Sequence, residues 1–387
     1  MTTVRVPFMF LALAVVTSAG WSLVRADEIQ RSDPAKPGGQ GTLQVDDVSA
    51  ELEKSLLAHL QQHHQPAVEF VVNQFKKHDV VLLGEDHQIA ENCRFVSSLI
   101  EPLYRNGVRT LAWEFTRSSF NDEVSKLVTA DEFDDDLANQ LLRRGPWPTW
   151  GYQEYVDILR AAWSLNHNRP AGALPFRIIA LDSDWSQYEL WFGNLDRMQS
   201  FQKIFNREKH MTKVLKAESF AKKEKALVHI GYAHTVTGQG AFMGKVLTDE
   251  FGARVKQVTL HRGWRRQDGT APVSDLIERL AVRAGGGKPI GFHLVNSPLG
   301  HLADSSALVF RFSPKATLAD VSQSYVYLNS RNKLHGVKWI PGFIVEENFE
   351  QARAIATKMK WIRKGAARTP EELDAALQQR FAGKRLR

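Results

Sequence analysis

Glu85 and His87 stand two residues apart directly after an apolar run at 80–83, in the segment Gly84-Glu85-Asp86-His87. A carboxylate beside an imidazole can act as general base for water, while a second imidazole donates to the leaving group or steadies an oxyanion. Polar groups recur after the apolar runs that follow. Glu114 comes after Leu111-Ala112-Trp113, Asp182 and Asp184 after the run 176–181, and Gly231-Tyr232-Ala233-His234 after the run 226–230. Two carboxylates with two imidazoles would equally hold a hard or borderline divalent ion, which lowers the pKa of bound water. Neither a zincin His-Glu-x-x-His helix nor a Gly-x-Ser-x-Gly nucleophile elbow is present, and the second absence counts against a serine hydrolase.

These residues matter only if the chain brings them together. The hydrophobic pattern predicts strands over 80–83, 108–115, 176–181, 226–230, 255–260, 290–295 and 307–312, with 325–328 as an edge. It predicts helices over 45–62, 93–104, 120–144, 153–166, 187–217, 241–251, 350–361 and 370–381. Strands alternating with helices imply an α/β fold, a mostly parallel sheet with helices on both faces. Ligands of such sheets bind at the carboxyl ends of the strands, where Glu85, Glu114, Asp182 and His234 all fall. Taken singly, each has a plainer role: Glu85, Asp86 or Asp182 as a helix cap, and His229, inside a strand, as a satisfied core histidine. His293 and His301 follow a later strand and are further candidates for the same cleft. Trp147, Trp150, Trp185 and Trp191 could wall a pocket for a flat or greasy ligand. Gly285-Gly286-Gly287-Lys288 reads as a turn, since the phosphate-loop spacing is missing.

The order of these motifs resembles the erythromycin esterase-like and ChaN-like (haem-binding uptake, Tiki) superfamily. The resemblance rests on Gly84-Glu85-x-His87 with Glu91, on Glu114, on Trp150 and Glu154 leading to Trp163 and Asn166, and on Asp182. Arg207-Glu208-Lys209-His210-Met211, Ile230-Gly231-Tyr232-Ala233-His234 and the helix from Met243-Gly244 to Leu247 continue it. It spans about 80–260 and more weakly to 303. It implies Glu85, His87, Glu114 and His234 as catalytic residues of a hydrolase acting on an ester or amide bond of a small-molecule or peptide substrate. A metal-dependent version would place a divalent metal on His87, Glu114, Asp182 and His234. The alternative is a haem- or iron-binding uptake protein without catalysis, with Tyr232 or a histidine as haem ligand. Asp86 departs from the small or hydroxyl residue usual there in esterase-like members, and no second histidine adjoins His234, so macrolide hydrolysis is not the expectation.

The ends of the chain set its setting. Arg5, an almost uncharged stretch over 6–24, and small Val24 and Ala26 read as a signal peptide (1–26) cut after Ala26. The expectation is a periplasmic or secreted protein with a flexible leader over 27–45 and no stable membrane insertion after cleavage. An α/β domain is expected over 46–312, with a C-terminal strand and helices over 313–387 packed on it. Cys93 is the only cysteine, so no internal disulfide can form and the core carries the stability. It is expected buried on a helix. The net charge of +7 owes much to Arg380, Lys384, Arg385 and Arg387, a solvated basic end rather than a nucleic-acid surface. Nothing in the chain names an oligomeric state.

Overall fold

The run Val80-Val81-Leu82-Leu83 shows no polar alternation, the pattern of a strand covered on both faces. It opens strand β1 (Val80–Glu85), in which all residues are buried. The computed structural model describes residues 42–184, 187–193, 195–237, 242–307 and 316–385. Six further strands follow: β2 (Thr110–Arg117), β3 (Arg177–Asp182), β4 (Ala226–Gly231), β5 (Val255–Leu260), β6 (Ile290–His293) and β7 (Ser324–Tyr327). With a two-residue edge, Gln65–Pro66, they form an eight-stranded sheet in the order edge-β6-β7-β5-β1-β4-β2-β3. Neighbours from β7 through β3 are parallel, whereas β6 runs antiparallel to both β7 and the edge.

The helices are α1 (Ala50–His63), α2 (Ala67–Gln74), α3 (Ala90–Arg105), α4 (Asn121–Thr129), α5 (Asp135–Arg143), α6 (Gln153–His167), α7 (Arg197–Leu215), α8 (Met243–Phe251), α9 (Pro272–Ala284), α10 (Glu346–Lys358) and α11 (Pro370–Arg380), with shorter turns between them. Side chains alternate across each strand. Val81, Leu83, Leu111, Trp113 and Phe115 join a layer built with α3, α4, α6, α10 and α11. Val80, Leu82, Ala112, Ile179 and Leu181 join α7 and α8 on the other face. Phe292, Tyr325 and Tyr327 pack with α1 and α9. Cys93 is buried on α3.

Several expectations are corrected. Segment 45–62 divides into a 3-10 turn and α1, with Ser49 capping the helix through the Leu52 amide. Segment 120–144 breaks into α4 and α5, because Asp134 starts a new helix by capping the Leu137 amide. Segment 187–217 divides into a short helix, Gln187–Phe192, and α7, opened by an Asp196–Gln199 capping box. The strand near 325 is interior, not an edge, since β7 pairs with both β5 and β6. The signal segment, residues 308–312 of one expected strand, and Trp185 lie outside the described residues. No helix among those described is long and apolar enough to cross a membrane.

Asn166 ties three of these elements together. From α6 its buried amide donates to the carbonyls of Val128 and Phe176 and accepts from the Phe176 amide, fixing α4 and the entry to β3. Asn166→Ala leaves these buried backbone groups unpaired and should lower the unfolding free energy by about 2–4 kcal/mol in urea titrations. A loss below about 0.5 kcal/mol would show that the three groups find other partners.

Candidate active site

The strand-end residues sit inside the ladder rather than after it. Glu85 closes β1 and Asp182 closes β3, while Gly231 closes β4 and a one-turn helix, Tyr232–Thr235, carries His234 away from it. Glu114 lies within β2, where pairing with β3 slips between Trp113 and Arg117. Such an irregularity twists a strand and re-aims its side chains.

Two groups of polar residues result, one on each face of the sheet. On the face shared with Phe115, Glu85 bonds His229 Nε2 at 2.7 Å and His87 Nδ1 at 3.0 Å, one imidazole on each carboxylate oxygen. On the other face Glu114 accepts from the Gly231 amide at 2.6 Å and from Arg207 at 2.7 Å. Arg207 also makes a fork to Asp182, with Nε and Nη2 at 2.9 and 2.6 Å. His234 Nε2 lies 3.3 Å from Glu114, and its Nδ1 bonds Glu208, whose other oxygen accepts from the Met243 amide at 3.0 Å. His87 joins the two groups across the sheet end, its Nε2 3.8 Å from Glu114.

That crossing needs Gly231. A Cβ there would lie 2.9 Å from His87 Nε2 and 3.3 Å from Glu114 Oε2. Gly84 has a matching role beneath, where a Cβ would meet the Thr235 hydroxyl at 2.7 Å. Trp150 and Phe115 flank His87 with ring centroids 5.5 Å away, and Trp147 follows at 6.2 Å from Trp150. Both tryptophans are buried in the core layer on that face; the Trp191 side chain lies outside the described residues.

Burial dominates the electrostatics, and specific partners decide its sign. Burial would raise Glu85, but His229 and His87 hold it below the usual carboxylate range. Burial likewise opposes Glu114, yet His234, Arg207 and His87 hold it well below. Asp182 goes up, burial outweighing Arg207. His87 is raised, since Glu114 and Glu85 outweigh desolvation. For His234 the same contest, won by Glu208 and Glu114, pushes the imidazole up to about 10. Its Nε2 also lies 3.0 Å from Arg207 Nη1, a distance that suits a neutral acceptor. The surrounding carboxylates favour the imidazolium, which then directs Nε2–H at Glu114.

The structure brings Glu85, His87, Glu114, Asp182 and His234 into one network. Tyr232 belongs elsewhere: its hydroxyl donates to the Val321 carbonyl and Arg262 lies 4.0 Å over its ring. Asp86 pairs with that same Arg262 at 3.0 Å, and Asp184 accepts from Ser119 at the surface. His293 is at the opposite end of the sheet, because β6 is antiparallel and its last residue meets Ser324 at the start of β7. His301 ends the 3-10 turn Pro298–His301.

His229, read from the sequence as a core histidine, is one and also holds Glu85. Glu208, noted only within a helix motif, orients His234. Arg207, noted only within that same motif, is the central cation. Spacing carried a signal: Arg207, Met211 and Leu215 recur every four residues on α7, and Glu208 adjoins this buried stripe.

The donor set does not fit the expected metal on His87, Glu114, Asp182 and His234. Arg207 already holds the oxygens of Glu114 and Asp182 that an ion would need. Among the described residues no three His, Cys, Asp or Glu side chains converge on a metal position.

Comparison with known proteins agrees at the level of fold. No family model matches the chain, and no curated protein matches it. A solved succinoglycan biosynthesis protein superposes with a TM-score of 0.53 at 9% identity, over 73% of this chain and 98% of that one. The two share a fold. A mutant of the erythromycin esterase EreC in its open conformation gives a TM-score of 0.47 at 12% identity, covering 68% and 93% of the two chains. ChaN of Campylobacter jejuni, solved with cofacial haem, gives 0.36 at 15%, covering 52% and 89%.

Stability should follow the charges. A histidine raised from 6.5 to about 10 stabilises the fold fully below pH 6.5, and this is lost as pH rises through about 10. Glu114 works oppositely: its contribution is present above 4.5 and lost as pH falls through its lowered folded value. Urea unfolding should show stability declining from pH 7 to 10, with a shallower decline in His234→Gln. Parallel profiles for the two proteins would reject the imidazolium assignment. Separately, Arg207→Met strips two buried carboxylates of their cation and should cost about 3–5 kcal/mol; Arg207→Met combined with Glu114→Gln and Asp182→Asn should recover part of that loss.

Proposed function

We propose that the chain is an exported hydrolase that activates water against an ester or amide bond of a small-molecule or peptide substrate, using paired Glu and His without a bound metal. The observation that carries this reading is the chain His229–Glu85–His87. Glu85 is fully buried and takes one imidazole on each oxygen, so Nδ1 of His87 is committed and Nε2 is directed across Gly231. A base oriented by a second group, itself oriented by a third, is the arrangement that serves nucleophile activation on unrelated folds.

Access divides the roles. The side chains of His87 and His234 are each 13% exposed, while Glu85, Glu114 and Asp182 are at 2% or below. An incoming substrate therefore meets imidazoles before carboxylates. His87 accepts the proton of the attacking water at Nε2. His234, protonated between Glu208 and Glu114, supplies positive charge that steadies the oxyanion, and His87 returns the proton it took to the leaving group. Arg207 keeps Glu114 ionised and places it between the two histidines. The basic N-terminal start, the apolar stretch and the small residues at 24 and 26 support export.

A panel of aryl esters, lactones and peptide amides tests this reading. Turnover should require His87, with kcat lowered about 10²–10⁴-fold in His87→Ala. The pH profile of kcat/KM should rise through an apparent pKa above 6.5, because His87 must be neutral to act. Glu85→Gln removes a carboxylate that favours the imidazolium, so it should move that limb to lower pH while lowering kcat. Turnover untouched by His87→Ala would sink the proposal. So would haemin binding with a Soret band lost in His87→Ala and no turnover of any substrate, which would assign the imidazole to haem instead.

A further inference from the structure

The end of the sheet opposite the catalytic cluster holds a groove of about 860 Å³, lined by α1, the segment around Lys77 and His78, Lys256 near the start of β5, and His293 with the loop after it. We propose that this groove binds a phosphate monoester, its phosphate held by Lys77, His78, Lys256 and His293 and its organic body lying over Val295.

The lining is one-sided in charge. Two lysines and five histidines face the groove, and no carboxylate is among its lining residues. Lys256 forms no ion pair among the described residues. Burial alone pushes Lys256 down to about 8. Burial lowers His293 to about 4, with further lowering from Lys256, His78 and Lys77, so these four groups lie within electrostatic reach of one another. Asp79, which acts on His78, already pairs with Arg254 at 2.6 Å; cations gathered with no acid in the groove lining repel each other, and a bound dianion would relieve the repulsion and recover the suppressed charge.

Ring orientation favours an anion over a metal. His78 Nδ1 bonds the Ala253 carbonyl at 2.6 Å and His293 Nδ1 meets the Ser324 hydroxyl at 3.0 Å, leaving an Nε2 on each ring. Those two nitrogens can donate when protonated, as a tetrahedral dianion requires. Of the other imidazoles, His59 Nε2 meets Ser297 at 3.2 Å and His63 Nδ1 bonds the His59 carbonyl at 2.7 Å. No three His, Cys, Asp or Glu side chains among the described residues converge on a metal position. A phosphate dianion offers three acceptor oxygens and more charge than a carboxylate to cationic side chains on separate elements, which favours phosphate. The volume of about 860 Å³ exceeds what inorganic phosphate fills, which selects an ester.

Calorimetric titration of the full chain with phenyl phosphate and with inorganic phosphate, at fixed ionic strength and pH 7, tests the site. The expected result is saturable binding at one site, with phenyl phosphate tighter than phosphate. Binding should weaken at least tenfold in Lys256→Gln and several-fold in Lys77→Gln, an exposed position where folding is not at stake. Absence of saturable binding, binding equal in both variants and the parent, or stoichiometric zinc uptake lost in His78→Ala and His293→Ala would each overturn the proposal. Because the readout is binding at the far end of the sheet, its failure leaves the hydrolase reading untouched, and the reverse also holds.

Discussion

A buried carboxylate near the carboxyl end of an interior strand is the constraint around which the rest is arranged. Glu114 is 1% exposed, and an isolated charge at such a site would cost far more than a domain's net stability. The protein meets this cost with the Gly231 amide, Arg207 and two imidazoles. Each compensator brings a requirement of its own. Arg207 is itself buried and needs Asp182, which closes β3; His234 needs Glu208, which in turn takes the Met243 amide at the start of α8. The network thereby pins α7 and α8 to the strand ends, and its correctness depends on strands far apart in sequence.

The proposed function rests on the same arrangement. Carboxylates locked below the surface set the charge of the imidazoles above them, so His87 and His234 differ in role although both are histidines of equal exposure. His87 sees Glu85 and, at longer range, Glu114; His234 is clasped between Glu114 and Glu208 at hydrogen-bond distance. The stronger clasp holds its proton more tightly. This is the pattern of two titratable groups pushed apart by their surroundings, which catalytic sites exploit. The opposite end of the sheet shows the contrary condition, cations with no acid to settle them, and that contrast distinguishes the two sites.

The α/β class, the strands from 80 to 260 and five of the polar residues that meet at the carboxyl end were legible in the sequence. They were legible because both signals are local: apolar runs mark buried parallel strands, and parallel strands place their carboxyl ends on one side. Local patterns also exposed the helix of Arg207 and Met211, though not what it carries. Which residue answers which charge was decided only by tertiary structure. The strand order places β4 between β1 and β2, and that alone puts His229 against Glu85 and the Gly231 amide against Glu114. The direction of β6 sent His293 to the far end, and Arg207 took the position that spacing had offered to a metal. Ion pairs and hydrogen bonds act over a few ångströms, whereas these partners stand tens to more than a hundred residues apart, so no window along the chain contains them.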